Sequence, residues 1–152
     1  MKKGEMLSKM LVIATNAHEG QFDKAAVPYI LHPLRVMSFL NTDDEELQCI
    51  AIGHDLFEDT SVTCEDLRKV GVSERVISGI MSMTKMPDES YAEYKVKVLA
   101  NSDARKVKKC DLRHNTDMRR LKGVSEKDKA RMIRYMEFYM EIEIAEHAAE
   151  KI

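Results

Sequence analysis

Apolar residues along this chain recur at three- and four-residue intervals rather than in alternation. Leu7, Met10, Leu11 and Ala14 form one such stripe, which predicts a first helix over about residues 5 to 18, closed by Gly20. A loop runs to Pro28, and a second helix starts near Pro33, a residue suited to a first helical turn, with Leu34, Met37 and Leu40 facing inward. Thr42-Asp43-Asp44-Glu45 reads as a capping box for a third helix, which carries His54, Asp55, Glu58 and Asp59 at its C-terminal end. Thr63 and Ser73 cap two short helices over about 64 to 70 and 74 to 84, separated by Gly71. After Pro87, helices are expected over about 89 to 101 and 103 to 120. Ser125 and Asp128 open a last long helix, in which Ile133, Met136, Met140 and Ile144 form a core stripe broadened by Met132, Tyr135, Tyr139 and Ile142. No strand alternation exceeds four residues and no repeat or linker interrupts the chain. The expectation is an all-α fold, one helical bundle forming a single domain over residues 1 to 152.

Composition supports helix. There are six glycines, three prolines and 11 methionines, so breakers are few and good helix formers many. Methionines at helical spacing are ordinary core filler far more often than a peptide-binding groove. With 24 basic and 26 acidic residues the net charge is −2, which offers no field to recruit nucleic acid or an anionic membrane. Cys49, Cys64 and Cys110 are odd in number and lack C-x-x-C spacing, against a disulfide framework or a cysteine zinc site. Glu5 and Lys9 break up the apolar start, unlike a signal peptide. Together these point to the cytoplasm and a small-molecule substrate, with the oligomeric state open.

The run Ala51 to Thr60 is the chemical anomaly. It places His54, Asp55, Glu58 and Asp59 in an otherwise apolar stretch, expected to be helical and buried. Residues three and four apart share a helix face, so Glu58 stands over His54 and Asp55, and Asp59 over Asp55. Three carboxylates around an imidazole repel one another unless a cation neutralises them, and unpaired buried charge costs several kcal/mol. A lone His-Asp pair is commonly a solvated helix end. Two further segments change the reading, because Tyr29-Ile30-Leu31-His32-Pro33 supplies an imidazole among apolar residues and Lys109-Cys110-Asp111 a distant aspartate. His32, His54, Asp55 and Asp111 make a mixed nitrogen and oxygen donor set, better suited to Mn, Fe, Co or Zn than to Ca or thiolate-bound Zn.

Four segments, Ala17-His18-x-Gly20-Gln21, Tyr29-Ile30-x-His32-Pro33-Leu34-x-Val36, His54-Asp55-x-x-Glu58-Asp59-Thr60 and Asp111-x-x-x-Asn115, together resemble the HD-domain phosphohydrolases. Within them they resemble the hydrolase domain of the RelA/SpoT group, which degrades the guanosine alarmones ppGpp and pppGpp. The resemblance covers roughly residues 5 to 145. It implies that His32, His54, Asp55 and Asp111 hold one Mn²⁺, or another divalent transition metal, which would activate a water for attack at a phosphoryl centre. Glu58 and Asp59 would place the water and move protons, and Asn115 would hydrogen-bond the nucleotide. Lys24, His18, Arg134 and Tyr135 are the further substrate contacts implied, with Lys129 and Arg131 on the same helix near a distal phosphate. His18 is equally readable as closing the first helix, and His114 as a rival ligand. Arg113, Arg119 and Arg120 read as surface charges, any of which could meet phosphate.

In one place the sequence departs from the family. The segment after Gln21 is usually basic and Gly-containing, but here it is Phe22-Asp23-Lys24-Ala25-Ala26-Val27, in which Asp23 would repel a polyphosphate. No synthetase or regulatory segment follows, as in a small stand-alone member. The resemblance thus implies removal of the 3′-pyrophosphate of ppGpp. Hydrolysis of another nucleotide, a nucleoside monophosphate or NADPH, stays open, as does a non-catalytic nucleotide sensor, although an idle domain has no need of the Glu58-Asp59 pair.

Overall fold

A computed structural model describes residues 1–151. Among them the architecture is all-helical, a bundle of α1 (Glu5–Ala17), α2 (Leu31–Leu40), α3 (Glu45–Gly53), α4 (Leu56–Asp59), α5 (Cys64–Lys69), α6 (Glu74–Met83), α7 (Tyr91–Ala100), α8 (Ser102–Asn115) and α9 (Glu126–Glu150), with a 3₁₀ turn at Met118–Arg120. The nearest approach to a sheet is an isolated antiparallel bridge between Phe22 and Pro28.

Helix α3 is the axle of the bundle, packing against α1, α2, α6 and α8. Its Leu47, Cys49, Ile50, Ala51, Ile52 and Gly53 are all buried, so it is apolar nearly all round rather than amphipathic. Two glycines let neighbours close on it. A Cβ at Gly53 would lie 2.6 Å from the Met10 methyl of α1, and one at Gly79 of α6 would lie 2.5 Å from Ile50 Cδ1. Truncating the fully buried Ile50 to Ala is expected to cost about 2–5 kcal/mol.

The caps follow from local side chains. Thr63, Ser90 and Ser125 each form a reciprocal capping box with the acidic residue three positions on, and Ser73 caps α6. In place of the box expected at Thr42, a simple cap sits two residues later. Asp44 caps α3 by accepting from the Glu46 and Leu47 amides, while Glu45 reaches across to the Gly4 and Leu7 amides at the start of α1. In α2 the fully buried position is Val36, with Leu34, Met37 and Leu40 only half-buried. Helix α8 stops at Asn115, short of the expected 120, as Thr116 turns back to the Leu112 carbonyl and Asp117 caps the 3₁₀ turn.

Two expectations fail. The helix through Ala51–Thr60 is not continuous: α3 ends at Gly53, and His54 and Asp55 occupy the kink before the single turn α4. That run is not uniformly buried either, since His54 is enclosed and Asp55 half-buried while Glu58 and Asp59 are exposed. The second failure is on α9. Ile133, Met136, Met140 and Ile144 are 62, 47, 60 and 69% exposed, whereas Phe138 and Ile142 are fully buried. At 100° per residue Ile142 lies opposite Ile144 on neighbouring turns, so the helix has two apolar faces and can turn only one inward. The Phe138 ring decides it, packing edge-on against Tyr91 and Tyr94 at 6.1 and 6.2 Å.

Candidate metal centre

Three separate elements bring four donors to one point. His32 comes from the first turn of α2, where it is 3% exposed; His54 and Asp55 come from the α3–α4 kink; Asp111 comes from α8 and is also 3% exposed. The kink is what lets the adjacent His54 and Asp55 point at the same spot, which successive residues of an unbroken helix, 100° apart, would not do. His32 Nε2 lies 3.2 Å from His54 Nε2 and 2.9 Å from Asp111 Oδ1. His54 Nε2 lies 2.9 Å from Asp55 Oδ2 and 3.5 Å from Asp111 Oδ1. His32, His54 and Asp55 form a compact group able to hold a metal ion, with Asp111 against both imidazoles. Ligands roughly 2.1 Å from a first-row ion in octahedral or tetrahedral array are about 3.0–3.4 Å apart, so these separations fit such an ion.

Each donor is oriented from behind. His54 Nδ1 donates to the Ala51 carbonyl at 2.7 Å, which turns Nε2 towards the cluster, where burial is outweighed by the Asp55 and Asp111 carboxylates, which raise the ring's affinity for a proton. His32 Nδ1 lies 2.7 Å from His114 Nδ1, the two rings within 12° of parallel. Tyr29 Oη donates to Asp55 Oδ2 at 2.6 Å. Asp111 accepts from Lys108 Nζ through Oδ2 and from Asn115 Nδ2 through Oδ1, both at 2.7 Å. Burial alone would raise the Asp55 and Asp111 carboxyls, but the adjacent cationic groups win: His54 holds Asp55 down at about 2, and Lys108 with the histidines holds Asp111 well below the usual carboxylate range. Burial also pushes His114 down to about 4, so its ring is neutral near pH 7 and Nδ1 can accept.

Glu58 and Asp59 project from α4 past the kink. Glu58 Oε1 accepts from the Lys85 amide at 2.7 Å. Partial burial raises both carboxyls, and the Asp55 charge raises them further. Neither is part of the four-donor cluster. His18 is 2% exposed; its Nδ1 lies 2.8 Å from Gln21 Oε1, its ring 5.1 Å from that of Tyr29, and its Nε2 is buried without a partner.

Beside the cluster a cavity of about 430 Å³ opens between the 22–28 loop, the 3₁₀ turn and α9. Lys24, Asn115 and Tyr135 line it, together with Tyr29, Arg120 and Arg131. Arg134 lies outside this lining, its guanidinium over the Tyr91 and Tyr135 rings. Helix spacing alone pairs Lys108 with Asp111, three residues on, whereas the Tyr29 contact to Asp55 joins residues 26 apart and has no local signal. Arg120 joins two walls of the cavity. It donates to Asn115 Oδ1 and the His114 carbonyl, both at 3.1 Å, and faces Asp23 Oδ2 at 3.4 Å. Asp23 has a structural duty as well, since its Oδ1 accepts from the Ala25 and Val27 amides at 2.8 and 3.0 Å and closes the loop.

No family model matches the chain. Among curated proteins, the guanosine-3′,5′-bis(diphosphate) 3′-pyrophosphohydrolase of Vibrio cholerae is 34% identical over 139 residues, 85% of this chain and 20% of that protein. The protein of the same description from Haemophilus influenzae is 33% identical over 133 residues, 80% of this chain and 19% of that one. A GTP pyrophosphokinase of Myxococcus xanthus is 32% identical over 143 residues, 84% of this chain and 19% of that one. The chain thus spans about a fifth of the length of these relatives. Among solved structures, a metazoan ortholog of SpoT, described as hydrolysing ppGpp, superposes with a TM-score of 0.75 at 20% identity, covering 93% of this chain and 87% of that one. The chain has the HD-domain helical fold and resembles in sequence the hydrolase domain of the RelA/SpoT-type guanosine alarmone hydrolases.

Proposed function

We propose that this chain is a divalent-metal-dependent phosphohydrolase that cleaves the 3′-pyrophosphate from ppGpp, releasing GDP and pyrophosphate, with Mn²⁺ as the metal and the cytoplasm as its setting. One observation carries the reading: His32, His54, Asp55 and Asp111, from three separate elements, converge with ligand-like spacing at the edge of a nucleotide-sized cavity lined by Lys24, Arg120 and Arg131 together with Asp23 and Asp117. The curated relatives supply the substrate class. Three free thiols support a reducing compartment.

His32 and His54 through Nε2, Asp55 and Asp111 would hold the ion. When bound, it supplies charge neutralisation at a phosphoryl group and acidifies a water. The chain's own residues do the rest. With both Nδ1 atoms engaged, His54 on the Ala51 carbonyl and His32 on His114, both Nε2 atoms face the site and would yield any proton there to the ion. Tyr29 fixes the Asp55 carboxylate, and Lys108 and Asn115 fix that of Asp111. Glu58, anchored by the Lys85 amide and raised towards neutrality, takes the proton from the attacking water; Asp59 is placed to share it. Lys24, Arg120 and Arg131 meet the phosphates, and Tyr29 and Tyr135 bracket the nucleoside.

The test is metal analysis of the purified chain followed by turnover of a nucleotide panel. About one transition metal per chain and release of pyrophosphate from ppGpp are expected. Robust turnover of NADPH or a nucleoside monophosphate with none of ppGpp would overturn the substrate and leave the metal centre standing. Metal-loaded protein that binds nucleotides and turns over none would make it a sensor.

A further inference from the structure

A second cavity, of about 440 Å³, opens where α2, the end of α8 and the 3₁₀ turn meet, with Arg35, Phe39, Arg113, His114, Asp117 and Arg119 among its walls. Asp117 is the only residue it shares with the lining of the nucleotide cavity. Its charge is not cancelled by the fold. Asp117 is held by Arg119, whose Nε and Nη2 donate to the two carboxylate oxygens, both at 2.8 Å, so that pair is neutral. Among the described residues neither Arg35 nor Arg113 is paired with a carboxylate, although Arg68, Arg75, Arg119, Arg120 and Arg131 all are.

The two free guanidiniums are held in place by their surroundings. Arg113 lies over the Phe39 ring, 4.0 Å from its centroid. Stacking uses the flat side of a guanidinium and leaves its N–H edge for an acceptor. Arg35 stands one turn before Phe39 on the same face of α2. Burial, and after it the charges around the ring, Arg35 among them, hold His114 low, which places the Arg35 charge near the same wall. His114 adds a neutral donor. Its Nδ1 lies 2.7 Å from His32 Nδ1, and in the tautomer that accepts there the ring N–H is on Nε2, which has no protein acceptor among the described residues.

We propose that this cavity is a second anion site, which takes a phosphoryl group between the Arg35 and Arg113 guanidiniums and the His114 Nε2–H. Two uncancelled cations match a phosphate dianion, and all three groups present donors, which is what an acceptor-only oxyanion needs. The phosphoryl group belongs to a free anion, phosphate or pyrophosphate, or to a nucleotide. Room for a nucleoside lies next door, because Phe39 and Arg113 also border a cavity of about 500 Å³ that reaches Tyr139, where Glu146 is held by Lys109. One consequence rests on the metal reading above, although the anion site does not. An anion on His114 Nε2–H favours the tautomer whose Nδ1 accepts from His32, and so supports the orientation of that metal donor.

Titration of the ¹⁵N-labelled full chain with inorganic phosphate, pyrophosphate and GDP, at constant ionic strength and followed through the arginine Nε–H signals, tests the proposal. Each signal is assigned by its loss in the matching Arg→Gln variant. The Arg35 and Arg113 signals should move together along one isotherm, and should still do so in Arg120→Ala, which strips a cation from the nucleotide cavity. Arg113→Gln, at an exposed position, should weaken the anion's effect on Arg35 by about tenfold with helical circular dichroism unchanged. Shifts with pyrophosphate alone identify a free anion; shifts that need GDP and also move the Phe39 and Tyr139 ring signals identify a nucleotide phosphate. Arg35 and Arg113 signals that stay still with all three ligands overturn the proposal. So do shifts that vanish in Arg120→Ala, which would put the anion in the nucleotide cavity, or an Arg35 isotherm untouched by Arg113→Gln.

Discussion

The two halves of the proposed site are built from different material. The metal half is assembled from side chains of the α2–α3–α8 core, and every donor has a partner behind it: the Ala51 carbonyl, His114, Tyr29, Lys108 and Asn115. The nucleotide half is assembled from a loop closed by a β-bridge and the Asp23 side chain, a 3₁₀ turn and the flank of α9, with Lys24 and Arg131 paired to Asp128 and Arg120 to Asp23. Buried groups of the first kind are over-determined, so a change there removes chemistry and stability together. Open groups of the second kind trade partners with solvent, so a change there retunes affinity. Graded substitutions should expose this contrast.

The largest effect is expected at Asp111. Asp111→Ala removes a proposed ligand and strands Lys108, which is largely buried and paired with that carboxylate, so stability should fall by about 3 kcal/mol along with metal content and all turnover. Asp111→Asn, which keeps the shape and an oxygen for Lys108, separates the two losses. Elemental analysis and thermal melts report them; full metal retention in both variants would remove Asp111 from the ligand set.

Glu58 comes next, and it should lose rate without losing metal. Glu58→Gln keeps an oxygen for the Lys85 amide but cannot take a proton, so kcat should drop roughly 10²- to 10⁴-fold at unchanged metal content. Burial and the neighbouring Asp55 hold the Glu58 carboxyl above its ordinary 4.5. The base is therefore active above that raised value, and the acid limb of kcat/KM should lie above pH 4.5 in the parent and move in Glu58→Gln. A variant with parental rate and an unmoved limb excludes Glu58 as the base.

His114 tests whether the metal half extends beyond its donors. His114→Leu deprives the His32 Nδ1 proton of its acceptor, and loss of such a partner typically costs about 10- to 100-fold in metal affinity. His114→Asn, whose amide oxygen can accept, should recover part of it. Chelator-competition titrations read the difference directly, and equal affinities in the parent and both variants would reduce the contact to packing.

The contrast also accounts for what was readable in the chain. The His54-Asp55 pair was legible because it stands, with Glu58 and Asp59, as charged residues in an apolar run, and the helices were legible because the α3 core and the capping residues Thr63, Ser73 and Ser125 are written locally. The kink at His54 was not, since no proline announces it and only close packing around Gly53 marks the end of α3. Nor was the inward face of α9, because two apolar stripes on one helix are equivalent until Tyr91 and Tyr94, distant in sequence, select Phe138. Asp23 was only half legible for the same reason. Its charge was visible, but its two amide partners and Arg120 are products of the folded loop.

On the nucleotide side, Arg120→Ala should raise KM for ppGpp about tenfold, the equivalent of roughly 1.4 kcal/mol, with metal content intact and kcat little changed. The guanidinium touches both Asn115 and the loop. Arg120→Lys should recover only part of the loss, because an ammonium cannot span both partners. An unchanged KM would take Arg120 out of the phosphate site.

The smallest effect, and the sharpest test of the comparison, is at Asp23. From sequence alone, Asp23→Arg should tighten binding of a polyphosphate by adding positive charge. The loop geometry changes that expectation. Asp23 Oδ1 holds the Ala25 and Val27 amides while Ala26 sits at a left-handed φ of 62°, a turn that Arg cannot close from its side chain. Asp23→Arg should therefore loosen the loop and gain nothing in affinity. Asp23→Asn keeps the amide-accepting oxygen, removes the negative charge beside Arg120 and leaves that guanidinium to the substrate. Since a loose, partly solvated ion pair at 3.4 Å is worth about 1 kcal/mol, KM for ppGpp should fall by several-fold at most, with kcat unchanged and the gain shrinking as salt rises. If Asp23→Arg instead binds ppGpp more tightly than Asp23→Asn, net charge rather than loop geometry governs the open half of the site.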